Sequence, residues 1–127
     1  TEKMMEVKTK LEDIGHQPFL LAESTNPFLG KTEVEKEEIK LQQKKDMEVV
    51  KYSWNVLQGA DAVLVLNYDK NGINNYIGGN SFLEIGFAHI LNQKVFLLNP
   101  IPKIPYYQTE IEAMKPIIIN GDLSRIN

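Results

Sequence analysis

Residues Asp61-Ala62-Val63-Leu64-Val65-Leu66-Asn67 constrain the fold most, because they form an unbroken apolar run closed at both ends by polar residues. A strand with one solvated face alternates apolar and polar residues. A continuous run of this length is how a parallel strand covered on both faces reads. Residues 68–79 follow, with Gly72, Gly78, Gly79 and three asparagines, and read as a loop. Asn80 or Ser81 then offers a side-chain cap for a helix running to about Leu91. Residues 94–98, Lys-Val-Phe-Leu-Leu, are again strand-like. Strand, helix and strand in that order predict a parallel pair with a right-handed crossover, and hence an α/β fold. Within it, residues 62–66 are expected at the centre of the sheet.

The flanking sequence extends this pattern. Met4, Val7, Leu11 and Ile14 recur at helical spacing, and Gly15 is placed to stop that helix. Residues 18–22 read as a short strand, and residues 23–31, with Ser24, Asn26, Pro27 and Gly30, as a loop. Residues 32–59 read as a long helix. Thr32 and Glu35 form its capping box, and Met47, Val50, Trp54 and Leu57 form its apolar stripe. Pro100, Pro102 and Pro105 stiffen a loop after the second strand. A short helix is expected over residues 107–114 and a last strand over 116–119, turned out by Asn120-Gly121-Asp122. The chain opens on a helix with no strand before it, so either the first strand of a doubly wound sheet lies in residues before Thr1 or the sheet is built without it. With 127 residues, one domain spanning residues 1–127 is expected.

Ligands of open parallel sheets bind beyond the carboxyl ends of the strands. Here those ends lead into residues 23–31, 68–79 and 99–106. Gly78 and Gly79 allow close approach of a ligand to the backbone, and the helix start after them offers free N–H groups. Glu84 lies about a turn into that helix, between Leu83 and Ile85. A carboxylate in apolar surroundings must be paired or directed at a ligand, because burying it alone is costly. A helix-start acid that complements the macrodipole is the plainer explanation. Asn67 and Asp69, at the end of the strand, and Ser24 and Asn26 complete the candidate set with Gly78, Gly79 and Asn80. Asp69 equally suits a solvated turn.

Several chemistries are excluded or disfavoured. The chain has no cysteine, so thiolate catalysis and Cys-ligated zinc are ruled out. No HExxH-type pairing is present, and no metal or cofactor is expected. Neither a GxxxxGK[ST] nor a GxGxxG element occurs, which disfavours ATPase and dinucleotide chemistry. A net charge of −3 argues against a nucleic-acid polymer as partner. No apolar run is long enough for a membrane span, and no secretory signal is visible, so a cytoplasmic protein with no membrane partner is expected.

The run from residue 61 to 66, the Gly-rich loop, Glu84-Ile85-Gly86-Phe87-Ala88 and then residues 94–98 together resemble the nucleoside 2-deoxyribosyltransferase family, which includes nucleotide N-glycoside hydrolases. Gly15-His16 also resembles the family's first helix-to-strand turn. The resemblance spans roughly residues 59–98 and implies a flavodoxin-like or Rossmann-like parallel sheet flanked by helices. It implies a small-molecule nucleoside or nucleotide as ligand and Glu84 as the nucleophile that takes up deoxyribose. It also implies a homo-oligomer, with Tyr106 and Tyr107 of the Pro-rich loop available for the contact. The chain departs from the family pattern in two places. Gly78 stands six residues before Glu84, where many members carry an aspartate, and Ser53 stands where another aspartate lies on the preceding helix. A nucleotide-binding or interaction domain that kept the fold without catalysis is therefore the alternative expectation.

Overall fold

A computed structural model describes residues 2–19 and 48–127. The chain divides into two compact units, Thr1–Val56 and Leu57–Asn127.

In the first unit, helix α1 spans Glu2–Asp13 and buries Leu11. Ile14 is exposed, so the apolar stripe ends a turn before its last predicted member. Gly15 adopts φ +97°. Its N–H reaches the Glu12 carbonyl at 3.1 Å, and the His16 N–H reaches that of Leu11 at 3.0 Å. This pair of bonds is the Schellman closure that a left-handed residue makes possible. Of the predicted strand at 18–22, Pro18 and Phe19 are described and form no strand, and the remainder lies outside the described residues. So do the loop at 23–31 and the capping box. Helix α2, Glu48–Leu57, is the described end of the long predicted helix. Val50 and Trp54 are half-buried, and Ser53, between them on that face, is buried.

The second unit holds the sheet. Strands β1 (Ala62–Val65), β2 (Lys94–Leu97) and β3 (Ile117–Ile118) pair in parallel, in the order β1-β2-β3. Val63 stands opposite Val95, and Phe96 opposite Ile117. Among the described residues β2 is therefore the middle strand, not β1 as expected. An apolar run reports that both faces of a strand are covered but not how many neighbours it has. Helix α3, Gly79–Ile90, provides the crossover from β1 to β2, and α4, Gln108–Ala113, the one from β2 to β3.

Alternation along the strands sorts the core into two layers. Val63, Val65, Val95 and Leu97 pack with Ile77, Ile85, Ala88 and Ile111 on the helical face. Phe96, Leu98 and Ile119 collect Leu64, Leu66, Leu123 and Ile126 on the other. On that second face the described cover is a 3-10 turn, Leu123–Arg125, rather than a helix. Asp122 caps this turn by accepting from the Ser124 N–H at 3.1 Å. Gln93 ties the crossover back to the start of the unit: its side-chain amide donates to the carbonyls of Leu57 and Ala60. Among the described residues no helix is long and apolar enough to cross a membrane.

Candidate functional site

The carboxyl ends of β1 and β2 are joined by two asparagines. Asn67 is 0% exposed. Its Nδ2 donates to the carbonyl oxygens of Asn99 at 2.8 Å and Pro100 at 3.1 Å. Its Oδ1 accepts the Asn99 backbone N–H at 2.9 Å. The Asn99 side-chain amide returns a bond to the Asn67 carbonyl at 3.0 Å. Only a side chain that is both donor and acceptor can do this, and a buried amide without such partners would be costly. Asn67, predicted to contact a ligand, is thus occupied by the loop that follows β2.

Residues 68–78 form an ordered loop. Asn71 and Gly72 both take positive φ, 54° and 73°. Lys70 and Ile73 exchange backbone bonds of 3.1 and 2.9 Å around them. That is the two-residue hairpin which Asn-Gly favours. The exposed Asp69 carboxylate accepts the Asn75 N–H at 2.9 Å, so it also shapes the loop. Tyr76 closes the loop by donating its N–H to the Tyr68 carbonyl at 3.0 Å.

The start of α3 differs from the expectation. Gly78, extended at φ −77° and ψ 173°, is the N-cap, and it supplies no side-chain cap. Asn80 and Ser81 fall inside the first turn. The first-turn amides, those of Gly79, Asn80 and Ser81, have no carbonyl one turn earlier within the helix to receive them. No acidic residue lies between Lys70 and Glu84, so the partial positive charge of this terminus is not offset within that segment.

Glu84 is 7% exposed and stands beside the fully buried Ile85. Asn80 and Ser81 precede it by four and three residues, which puts them on its side of the helix, one turn nearer the N-terminus. Side chains of a helix lean toward that end.

Aromatic residues frame this helix start. The Tyr107 and Phe82 rings stack with centroids 4.6 Å apart and planes 10° from parallel. A Cβ added to Gly79 would lie 3.9 Å from the Tyr107 hydroxyl, and one added to Gly78 3.4 Å from Tyr76 Cε1. Pro102, between Asn99 and Tyr107, is fully buried, and Ile101 packs against the core. The Pro-rich loop is thereby fastened at both ends, at Asn67 and at Phe82.

Of the predicted residues, Asn67, Asp69, Gly78, Gly79, Asn80 and Glu84 belong to β1's exit, its loop and α3. Ser24 and Asn26 lie outside the described residues. Asn99 was missed, although a sequence signal exists. Both strands are followed by Leu-Asn, and Asn67 and Asn99 are 32 residues apart, the offset that also pairs Val65 with Leu97. Among the described residues no group of three or more His, Asp or Glu is placed to hold a metal ion.

The fold and site thus define an α/β protein with, among the described residues, a three-stranded parallel sheet and a glycine-led helix carrying a buried glutamate. No family model, curated protein or solved structure matches the chain.

Proposed function

We propose that this protein cleaves the N-glycosidic bond of a deoxynucleoside or deoxynucleotide, with Glu84 as nucleophile. The carrying observation is the buried carboxylate of Glu84 on a helix that starts with glycine beyond the carboxyl ends of two parallel strands. In this reading the three-stranded sheet belongs to a flavodoxin-like arrangement. A Glu84 oxygen attacks the anomeric carbon as the carbon–nitrogen bond breaks. The bond electrons leave with the base, which takes a proton from solvent. Water or a second base then attacks the same carbon and releases Glu84 as carboxylate, so configuration is retained overall. The amides of Gly79 and Asn80 suit a phosphate or hydroxyl of the ligand, and Asn67 and Asp69 act by shaping the loops. Burial favours the role, because a partly desolvated carboxylate is held in one orientation toward the sugar.

A second reading has one observation in its favour. With glycine at position 78 and no acid between Lys70 and Glu84, that segment offers no carboxylate to hand a proton to the departing base. A nucleotide-binding module would have the same helix start without turnover.

The test is release of free base, followed by chromatography, from the four common deoxynucleosides and their 5′-monophosphates. Turnover by the wild type and its loss in Glu84→Gln support the enzyme. A fluorinated deoxynucleoside should leave a sugar adduct on Glu84, visible by mass spectrometry. Binding without release supports the module. Glu84→Gln with unchanged turnover refutes the nucleophile assignment.

A further inference from the structure

We propose that Asn67 and Asn99 are a positioning pair: the side chain of each bonds the backbone of the other's loop, which makes the loops after β1 and β2 a single unit that sets the start of α3. The part of this that concerns turnover rests on the N-glycoside reading above; the mechanical part does not. Four hydrogen bonds of 2.8–3.1 Å connect the two residues and Pro100. Both bonding atoms of the Asn67 side chain are used, and the residue is sealed from solvent. The strand ladder has ended here, so these side chains carry on the cross-strand pairing that backbone groups perform further back. From Asn99 the constraint runs through buried Pro102 to Tyr107, whose ring stacks on Phe82 in the first turn of α3. Phe82 is two residues before Glu84. An error introduced at Asn67 therefore reaches the helix start through rigid links: a proline-stiffened loop, a buried ring and an aromatic stack.

The pair has a distinctive energetic signature. The Asn67 side chain makes three of the four bonds, all to backbone atoms of residues 99 and 100, and the Asn99 side chain makes one, to the Asn67 carbonyl, so Asn67→Ala should loosen the two loops far more than Asn99→Ala. A misplacement transmitted to a reacting group also acts on turnover more than on binding.

The experiment compares wild type, Asn67→Ala, Asn99→Ala, the double variant and Phe96→Leu. Phe96 is buried in the opposite layer of the sheet, and its variant controls for general destabilisation. Amide hydrogen exchange of the full chain is read below the melting transition. Asn67→Ala is expected to speed exchange by about tenfold or more across residues 100–107 and the first turn of α3. Phe96→Leu should not single out those amides. Asn99→Ala, which removes one bond of the four, should have a smaller effect at the same amides, and the double variant should be at least as severe as Asn67→Ala. In the base-release assay, Asn67→Ala should lower kcat by roughly tenfold to a hundredfold with a smaller change in KM. The proposal is overturned if faster exchange stays confined to Asn99, if Phe96→Leu reproduces the pattern, or if Asn99→Ala loosens residues 100–107 as much as Asn67→Ala does. It is also overturned if, with an active wild type, Asn67→Ala keeps the wild-type kcat although residues 100–107 have loosened. A wild type that releases no base defeats the N-glycoside reading alone, and the exchange results still decide the pair.

Discussion

Alanine at positions 78 and 79 separates what the fold needs from what a ligand needs. Gly78 has ordinary extended backbone angles, φ −77° and ψ 173°, which any residue can adopt. A Cβ there would meet Tyr76 at 3.4 Å, and one on Gly79 would meet Tyr107 at 3.9 Å, both ordinary contacts. Replacing glycine by alanine at a compatible position stabilises by about 0.4–1 kcal/mol, by narrowing the unfolded ensemble. For Gly79, the first residue of α3, that gain stands nearly alone. For Gly78, alanine is a poorer N-cap than glycine, and a cost of about 0.5–1 kcal/mol offsets the gain. Gly79→Ala is therefore expected to raise stability by about 0.5 kcal/mol, and Gly78→Ala to leave it nearly unchanged. Urea unfolding followed by circular dichroism measures both. If the glycines serve close approach of a ligand, the same variants should lose about tenfold or more in kcat/KM for base release, since a methyl group then occupies ligand space. Loss of more than about 1 kcal/mol in either variant would mean that the fold itself demands glycine there. Intact stability with intact activity would refute close approach.

Other expectations are equally direct. Lys115 is exposed and holds φ +52° at the end of α4, so Lys115→Gly should stabilise by about 0.5–1 kcal/mol in the same urea experiment. Asp122 is held below the usual aspartate range by hydrogen bonds from the side chain and then the backbone of Ser124. Its contribution is thus present above the ordinary aspartate pKa and is lost as pH falls through its depressed value. The Ser124 amide shift in NMR should titrate with a midpoint below that of a solvated aspartate, and a midpoint at or above it would contradict the cap. Ile85→Ala removes a fully buried side chain beside Glu84 and should cost about 2–5 kcal/mol by denaturant melting.

Local signals carried most of the second unit. The apolar runs at 62–66 and 94–98 became β1 and β2 because β-rich runs bounded by polar residues have few other solutions. The short helix expected at 107–114 and the strand at 116–119 are also present, each trimmed at its ends. Less legible was anything decided by a distant partner. The N-cap of α3 carries no side-chain signal, because Gly78 caps with its backbone while two better capping residues stand just inside the helix. Asn67 is legible only as a polar residue closing a buried run. The partners of its side chain lie 32 and 33 residues on, beyond the reach of any local pattern. The hairpin at Asn71-Gly72 has its signal in that dipeptide, inside a stretch whose composition otherwise specifies only a loop. Within the candidate site, Glu84 and its glycines stood out, whereas the residues that position them did not.

This difference has a physical basis that bears on the site's origin. A buried polar group at the end of a strand must find partners, and in a parallel sheet the nearest groups belong to the next strand's exit loop. Satisfying Asn67 therefore draws residues 99 and 100 against the exit of β1, and the prolines and Tyr107 carry that placement on to α3. The bonds that stabilise the carboxyl end of the sheet thus also place the loops around the start of α3. Asp69 and Asn80 are exposed and take no part in those bonds, so their substitution leaves the asparagine pair intact. If the N-glycoside reading holds, variants that change base release at constant stability should map to exposed positions such as Asn80, and variants that change both should map to Asn67, Asn99 and the residues between Pro100 and Tyr107.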